Sequence, residues 1–252
     1  MDPSERKRVE VCFTPGQFNL YSNDFEIVVV IDVLRATSAI CTAMEHGVKS
    51  IIPVSSIEEA RAYQLKGYIT AAERGGQIVE GFELGNSPFS YMNPELKGKT
   101  VVMTTTNGTK SINLAKAMPT VVIGSLNNLE AVCNFLISQR KSVIVLGSGW
   151  MDKFNLEDTI CAGAIADELI ESGGFYAEED SSIAAKFIYR SARENIFSFL
   201  KASSHRRRLR KLKLNKDVRY CLTPNIIRSI PVLKDGHIVR LAYEYSSENV
   251  QA

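Results

Sequence analysis

The stretch IVVVIDVLRATSA, residues 27–39, decides the fold. Five consecutive β-branched residues, Ile27 to Ile31, read as a strand buried on both faces, because a strand with one wet face alternates apolar and polar. Asp32 ends the run, and a helical pattern starts at Ala36. A buried strand feeding a helix through a short polar loop is the unit of an α/β sheet. Working outward, the same alternation predicts strands at Val9–Phe13, Glu26–Ile31, Lys49–Val54, Tyr68–Ala72, Thr100–Thr104, Thr120–Gly124 and Ser142–Gly147. Helical patterns fall between several of them, at Ala36–Gly47, Ile57–Lys66, Lys110–Ala117 and Leu126–Ser138. Longer ones follow at Leu156–Ser172 and from about Ser181 to Leu212. A last strand pair is expected at Ile226–Leu233 and His237–Tyr243, hinged at Asp235-Gly236. The expectation is an α/β chain with a largely parallel or mixed sheet covered on both faces. It is read as a single unit over residues 1–252, with Gly173-Gly174 the best place for a division into two α/β subdomains.

Composition bounds the function. The 252 residues carry a formal net charge of +2 and are 45% apolar, enough for a sizeable core. The near-neutral balance argues against a wholly basic nucleic-acid coat. It conceals a split, however. Residues 201–219 hold four Lys, five Arg and one Asp, a local +8, so the remaining 233 residues sum to −6. The N-terminal MDPSERKRVE lacks the apolar run of a secretory signal, and the most apolar stretch is too short to cross a bilayer. Five widely spaced cysteines form no C-x-x-C pair, which excludes a disulfide framework or compact zinc site and points to a cytoplasmic protein with reduced thiols.

In an open α/β sheet, ligands bind beyond the carboxyl ends of the strands. Four loops fall there: Asp32–Ser38, Glu73–Gly76, Thr105–Thr109, and Gly147–Trp150 leading to Glu157 and Asp158. Arg35 and Arg74 are suited to grip a phosphate, sulfonate or carboxylate with paired hydrogen bonds, the alternative being ion pairs with neighbouring acids such as Glu73 or Asp32. TTTNGT, residues 104–109, offers small hydroxyls and backbone N–H groups ahead of a helix, a suitable phosphate cradle, or simply an Asn-Gly turn with a threonine cap. Asp32, Glu73, Glu157 and Asp158 are candidate oxygen ligands for Mg²⁺. For Glu157 and Asp158 helix capping after Asn155 is a sufficient explanation. Asp32 is harder to dismiss, since a carboxylate ending an apolar strand needs a partner, a water or a metal. Cys161, in the small-residue run CAGAIA, reads as tight helix packing. Nucleotide-loop glycine motifs, a Cys-x₅-Arg signature and a D-x-D pattern are all missing. His46, His205 and His237 fall outside the expected rim, so a histidine nucleophile is not expected.

Together these loops resemble a known family. IDVLRATSA (31–39), AERGG (72–76), GFELGNSP (81–88), TTTNGT (104–109) and LEDTICAGA (156–164) are similar to the motifs of the 2-phosphosulfolactate phosphatases. The resemblance extends over about residues 10–235, and DVRYC (217–221) with Ile230-Pro231 matches the family's C-terminal region. Asn225 stands where the family pattern has an acidic residue. The resemblance implies a three-layer α/β fold and Mg²⁺-dependent hydrolysis of (2R)-2-phospho-3-sulfolactate to 3-sulfolactate and phosphate, a step of coenzyme M synthesis. Carried onto this chain, it implies Asp32, Arg35 and Asp158 as catalytic, and Asp32, Glu73 and Asp158 around the metal. It further implies Arg35, Arg74, Thr105, Asn107, Gly108 and Thr109 on the substrate. Attack by a water held at the metal is the expected route, with an Asp nucleophile as the alternative.

Two other function classes compete. The basic segment SSHRRRLRKLKLNK suits a nucleic-acid surface, although Leu209, Leu212 and Leu214 make a helix with one buried stripe and a solvated basic face the preferred reading. An inactive scaffold of the same family is the other, disfavoured because the rim acids and both arginines are retained. A small anionic phosphoester is the expected partner, with no membrane, and a homodimer is the base-rate expectation for such an enzyme.

Overall fold

A computed structural model describes residues 5–21 and 23–243. The strand read from Ile27–Ile31 is β2, and every one of its residues is buried. The other strands are β1 (Lys7–Cys12), β3 (Ser50–Pro53), β4 (Ile69–Arg74), β5 (Gln77–Ile78), β6 (Thr100–Thr104), β7 (Thr120–Gly124), β8 (Val143–Gly147), β9 (Phe175–Tyr176), β10 (Pro231–Lys234) and β11 (His237–Arg240). The helices are α1 (Ala36–Glu45), α2 (Ile57–Gln64), α3 (Gly108–Ala115), α4 (Leu129–Gln139), α5 (Leu156–Glu171), α6 (Asp180–Ala192), α7 (Ile196–Phe199), α8 (Ser204–Lys211) and α9 (Asn215–Cys221).

All the strands belong to one sheet in the order β5-β4-β6-β3-β11-β10-β7-β2-β8-β1-β9. It is mixed. β4, β6 and β3 are mutually parallel, as are β7, β2, β8, β1 and β9. The C-terminal hairpin β10–β11 lies between these blocks and runs antiparallel to each neighbour, through Val232↔Val122 on one side and Ile238↔Ile51 on the other. Its turn is the expected one, with Asp235 at φ +50° and Gly236 at φ +78°. Two consecutive positive φ values match the primed turns that suit strand twist.

Alternation along β2 builds the three layers. Ile27, Val29 and Ile31 pack with Leu136 of α4 and Ile165 of α5, whereas Val28 and Val30 pack with Ile40 and Met44 of α1 and Ile112 of α3. Each such fully buried Val or Ile contributes about 1.5–3 kcal/mol. Gly173, at φ +76°, turns the chain from α5 into β9.

Two expectations need correction. The helix read from Ser181 to Leu212 is not continuous but breaks into α6, α7, a 3₁₀ turn at Leu200–Ala202 and α8. Asn195 Oδ1 accepts from the Ser198 N–H and Ser203 Oγ from the Arg206 N–H, so each caps a new helix start inside an otherwise continuous amphipathic pattern. The last strands are also shorter than read: 226–230 and 241–243 lie outside them. The two-residue strands β5 and β9 carry no periodicity that a sequence reading can detect.

Candidate functional site

A narrow cleft gathers Asp32, Leu34, Arg35, Glu73, Gly76, Asn86, Thr106, Asn107, Trp150, His205 and Leu209. Residues following β2, β4, β6 and β8 meet there, so both parallel blocks contribute. A larger and more open cavity between α5 and α6, about 380 Å³, is a salt-bridged surface groove in which Arg190 pairs with Asp167 and Glu171.

The loop after β2 is locked by the first residues of α1. The Asp32 N–H donates to Thr37 Oγ1 at 3.0 Å, the Thr37 N–H returns to the Asp32 carbonyl at 3.0 Å, and Ser38 Oγ donates to the Val33 carbonyl at 2.9 Å. Here the motif RATS is a clamp that aims the Asp32 carboxylate. Gly108 packs against that carboxylate: a Cβ at this position would lie 2.6 Å from Ala36 Cβ and 2.9 Å from Asp32 Oδ2. Glycine is required there by close approach rather than by backbone conformation.

Four acids surround the cleft, and each is buried. Asp158 is a crosslink: Oδ1 accepts from the Val33 N–H at 2.8 Å, and Oδ2 from the Gly149 N–H at 3.1 Å and Asn155 Nδ2 at 2.9 Å. Asn155 Oδ1 accepts from the Asp158 N–H at 3.0 Å, which is the cap read from the sequence. Glu73 Oε1 accepts from the Gly76 N–H at 2.6 Å and Oε2 from the Thr106 N–H at 3.2 Å, tying two rim loops together. Burial, then the charges of Asp158 and Glu73, hold the Asp32 carboxyl well above its ordinary range. Burial and the neighbouring Glu157 push Asp158 up to about 7 against the hydrogen bonds it accepts. Crowded like charges favour a cation or protons between them.

Among the described residues, no three His, Cys, Asp or Glu side chains converge as ligands on one metal point. Asp158 and Glu73 already use their oxygens on N–H donors. The donor set is nevertheless that of a hard cation: carboxylate oxygens at a polar cleft, with Mg²⁺ needing only one or two of them beside waters and phosphate oxygens. The residues present therefore fit such an ion, with Asp32 as the acid least committed to protein partners.

The two arginines differ. Arg35 lines the cleft with Nη1 on Asp217 Oδ1 at 2.6 Å and Nη2 on the Gly76 carbonyl at 2.7 Å, leaving three of its five N–H donors. Its acidic partner is on α9, not the nearby Glu73 or Asp32 weighed from sequence. Arg74 is bound by the Glu73 carbonyl at 2.6 Å and Thr104 Oγ1 at 3.1 Å and is not among the cleft residues. In the TTTNGT loop, Thr105 and Thr109 bond to each other: the Thr109 N–H donates to Thr105 Oγ1 at 3.1 Å and the Thr105 N–H to Thr109 Oγ1 at 3.0 Å. The loop instead presents Thr106 and Asn107. Asn225, where the family pattern departs, is exposed at φ +59° and accepts from the Glu130 N–H at 2.9 Å; it braces α4 outside the cleft.

His205 overturns one expectation outright. Placed outside the rim by sequence, it lines the cleft, and its Nδ1 lies 2.6 Å from Glu157 Oε1. The Trp150 ring lies against it, tilted at 41° with centroids 5.4 Å apart. A signal was available: His205, Leu209 and Leu212 recur at spacings of four and three, so the histidine shares the leucine stripe that faces inward. Three arginines of the basic segment lie over aromatic rings. Arg206 lies over the Phe197 ring at 3.6 Å and donates to the Phe197 carbonyl, Arg219 lies over the same ring at 3.9 Å, and Arg208 lies over Trp150 at 4.2 Å. Among the described residues, no helix is long and apolar enough to cross a membrane.

Comparison with known proteins is consistent with the motifs. The family described as 2-phosphosulpholactate phosphatase matches residues 12–236. A protein of Caldanaerobacter subterraneus subsp. tengcongensis named probable 2-phosphosulfolactate phosphatase is 38% identical over 222 residues, covering 86% of this chain and 91% of the relative. Proteins of the same name from Cyanothece sp. and Synechocystis sp. are 39% and 40% identical, each over 82% of this chain and 88% of its own length.

Proposed function

The chain belongs to the 2-phosphosulfolactate phosphatase family, and on that premise we propose that it is a Mg²⁺-dependent phosphatase cleaving (2R)-2-phospho-3-sulfolactate to 3-sulfolactate and phosphate. The observation that carries the reading is one cleft in which Asp32, Glu73 and Arg35 converge with Thr106 and Asn107. Carboxylates suit a divalent cation, and a guanidinium with free donors suits an oxyanion. Neither alone identifies a phosphatase; their juxtaposition at strand ends does so together with the family.

Asp32, with Glu73 and Asp158 beside it, would hold Mg²⁺, which supplies charge neutralisation on the phosphoryl oxygens. The remaining work belongs to the chain. Arg35 places its unused N–H donors toward an anionic group, held in orientation by Asp217 and the Gly76 carbonyl. Thr106 and Asn107 add polar side chains to the same cleft. Asp158 ties the loop after β2 to the loop after β8 and so maintains their spacing. A loose phosphoryl-transfer transition state needs this positioning and charge stabilisation more than a covalent partner.

The test is phosphate release from phosphosulfolactate and a panel of phosphoesters, in Mg²⁺ and in EDTA. Release that depends on Mg²⁺ and favours phosphosulfolactate supports the proposal. Equal kcat/KM across the panel would reassign the substrate, and no release from any ester would remove the enzyme reading.

A further inference from the structure

We propose that His205 is the acid that protonates the leaving-group oxygen, with Glu157 as its positioning residue. The proposal rests on the phosphatase reading above and adds a residue that the rim motifs do not contain.

Helix α8 delivers the ring. Ser203 caps its first turn, and Leu209, one turn beyond His205, anchors the same face in the core. The ring then has two distinct nitrogens. Nδ1 is 2.6 Å from Oε1 of Glu157, whose side chain is 1% exposed. Oε2 of that carboxylate has no partner among the described residues. A buried carboxylate with one oxygen on a ring nitrogen holds a proton on Nδ1 and fixes the ring, so in the imidazolium form the second proton is the one on Nε2. Nε2 has no hydrogen-bond partner among the described residues, while the ring itself lines the cleft shared by Asp32, Arg35, Glu73 and Asn107. Trp150 lies against the ring, and Arg208 lies over the same indole. A histidine serving only as a core filler has no need of a buried carboxylate on one nitrogen and an unpartnered second nitrogen on a ring that lines a polar cleft.

The reaction has a step that calls for such a group. The leaving oxygen belongs to an aliphatic alcohol, and a loose transition state loads it with negative charge. The oxygen of the attacking water bonds to phosphorus as the bond from phosphorus to the alkyl oxygen breaks. The electron pair of the broken bond stays on the alkyl oxygen, which takes the Nε2 proton and leaves as the alcohol. Both protons of the water remain with the phosphate, which returns one to the imidazole, directly or through solvent. Atoms and charge balance without any further reactant. General-acid catalysis of this kind is worth about 10²–10⁴-fold.

A leaving-group comparison tests it. p-Nitrophenyl phosphate releases a phenolate that needs no proton, whereas phosphosulfolactate does. His205→Asn is expected to lower kcat on phosphosulfolactate by about 10²-fold or more with KM little changed, and kcat on p-nitrophenyl phosphate by less than about tenfold. Glu157→Gln is expected to shift the same ratio in the same direction by a smaller factor. Because Glu157 left alone is a buried unpaired charge, the double variant Glu157→Gln/His205→Gln, which pairs two amides, repeats the measurement if His205→Asn does not fold. Equal losses on both esters, or full activity on phosphosulfolactate, would overturn the role of His205. Wild-type protein that hydrolyses neither ester sinks the phosphatase reading itself, whereas an active wild type with an unchanged ratio in the variants sinks only this proposal.

Discussion

Arg35 Nη1 and Asp217 Oδ1 meet at 2.6 Å across 182 residues of sequence, joining the loop after β2 to the helix α9 near the C-terminus. Both side chains are nearly buried, at 4% and 10% exposure. Removing one partner of a buried pair leaves the other charge without compensation, at a cost of about 3–5 kcal/mol. Arg35→Ala is therefore expected to lower the urea midpoint substantially as well as to slow turnover. Arg35→Lys keeps the charge but loses the planar fork, so it separates the two roles. Its turnover should fall by about 10²-fold with a smaller loss of stability. An Arg35→Ala protein as stable as wild type would show that the pair contributes nothing.

Asp32 carries an expectation in stability as well as in rate. Its folded carboxyl titrates well above the ordinary value of 3.8, so between those two points the folded state holds a proton that the unfolded state has released. Stability then falls as pH rises through that window. Asp158, raised to about 7, acts in the same direction. Asp32→Asn removes the cost that wild type bears above the window. In EDTA the variant should be more stable than wild type at pH 8, and the gain should shrink at pH 5. Its turnover should drop by at least about 10²-fold. A gain that grew towards acid pH would contradict the assignment.

Gly163 marks a close helix crossing. A Cβ there would lie 2.0 Å from the Ala185 carbonyl oxygen, so α5 and α6 touch through backbone. Gly163→Ala must push the helices apart, and overpacking of this kind costs about 3 kcal/mol or more. Chemical denaturation checks this directly. The reading of CAGAIA as a packing run finds its basis here, with Cys161 fully buried in the same core.

The thiols should be inert in the folded protein. All five cysteines are free and buried, and burial pushes Cys12 up to about 11 and Cys41 and Cys221 up to about 12. Thiolate is the reactive form. Ellman's reagent at pH 8 should therefore find none of the five in native protein and all of them in guanidinium. A fast-reacting thiol in the native state would reveal local opening of the core.

Much of the architecture is legible along the chain because its causes are local. IVVVI has the composition of a strand covered on both faces, Asp235-Gly236 has the residues of a primed turn, and Asn155 has the side chain of a cap. Such signals act within about ten residues. The helix read through 181–212 failed for a related reason: Asn195 and Ser203 are weak local breaks inside a strong amphipathic period. At the site, Asp32, Arg35, Glu73 and Asn107 line the cleft as strand-end positions in a sheet of this kind do.

By itself, then, the sequence determined the strand-and-helix alternation, the polar loops at the strand ends and the family motifs they carry. Tertiary structure alone decided which side chains in those loops remain free. Thr105 and Thr109 satisfy each other, Arg74 is held by Thr104, Arg35 takes its partner from α9, and His205 enters the cleft from 48 residues beyond Glu157. It also set the C-terminal hairpin in the middle of the sheet. The physical reason is that propensity and periodicity follow from neighbours along the chain. A hydrogen-bond partner depends on which distant segments the packed core brings within 3 Å, and no spacing in the sequence encodes that.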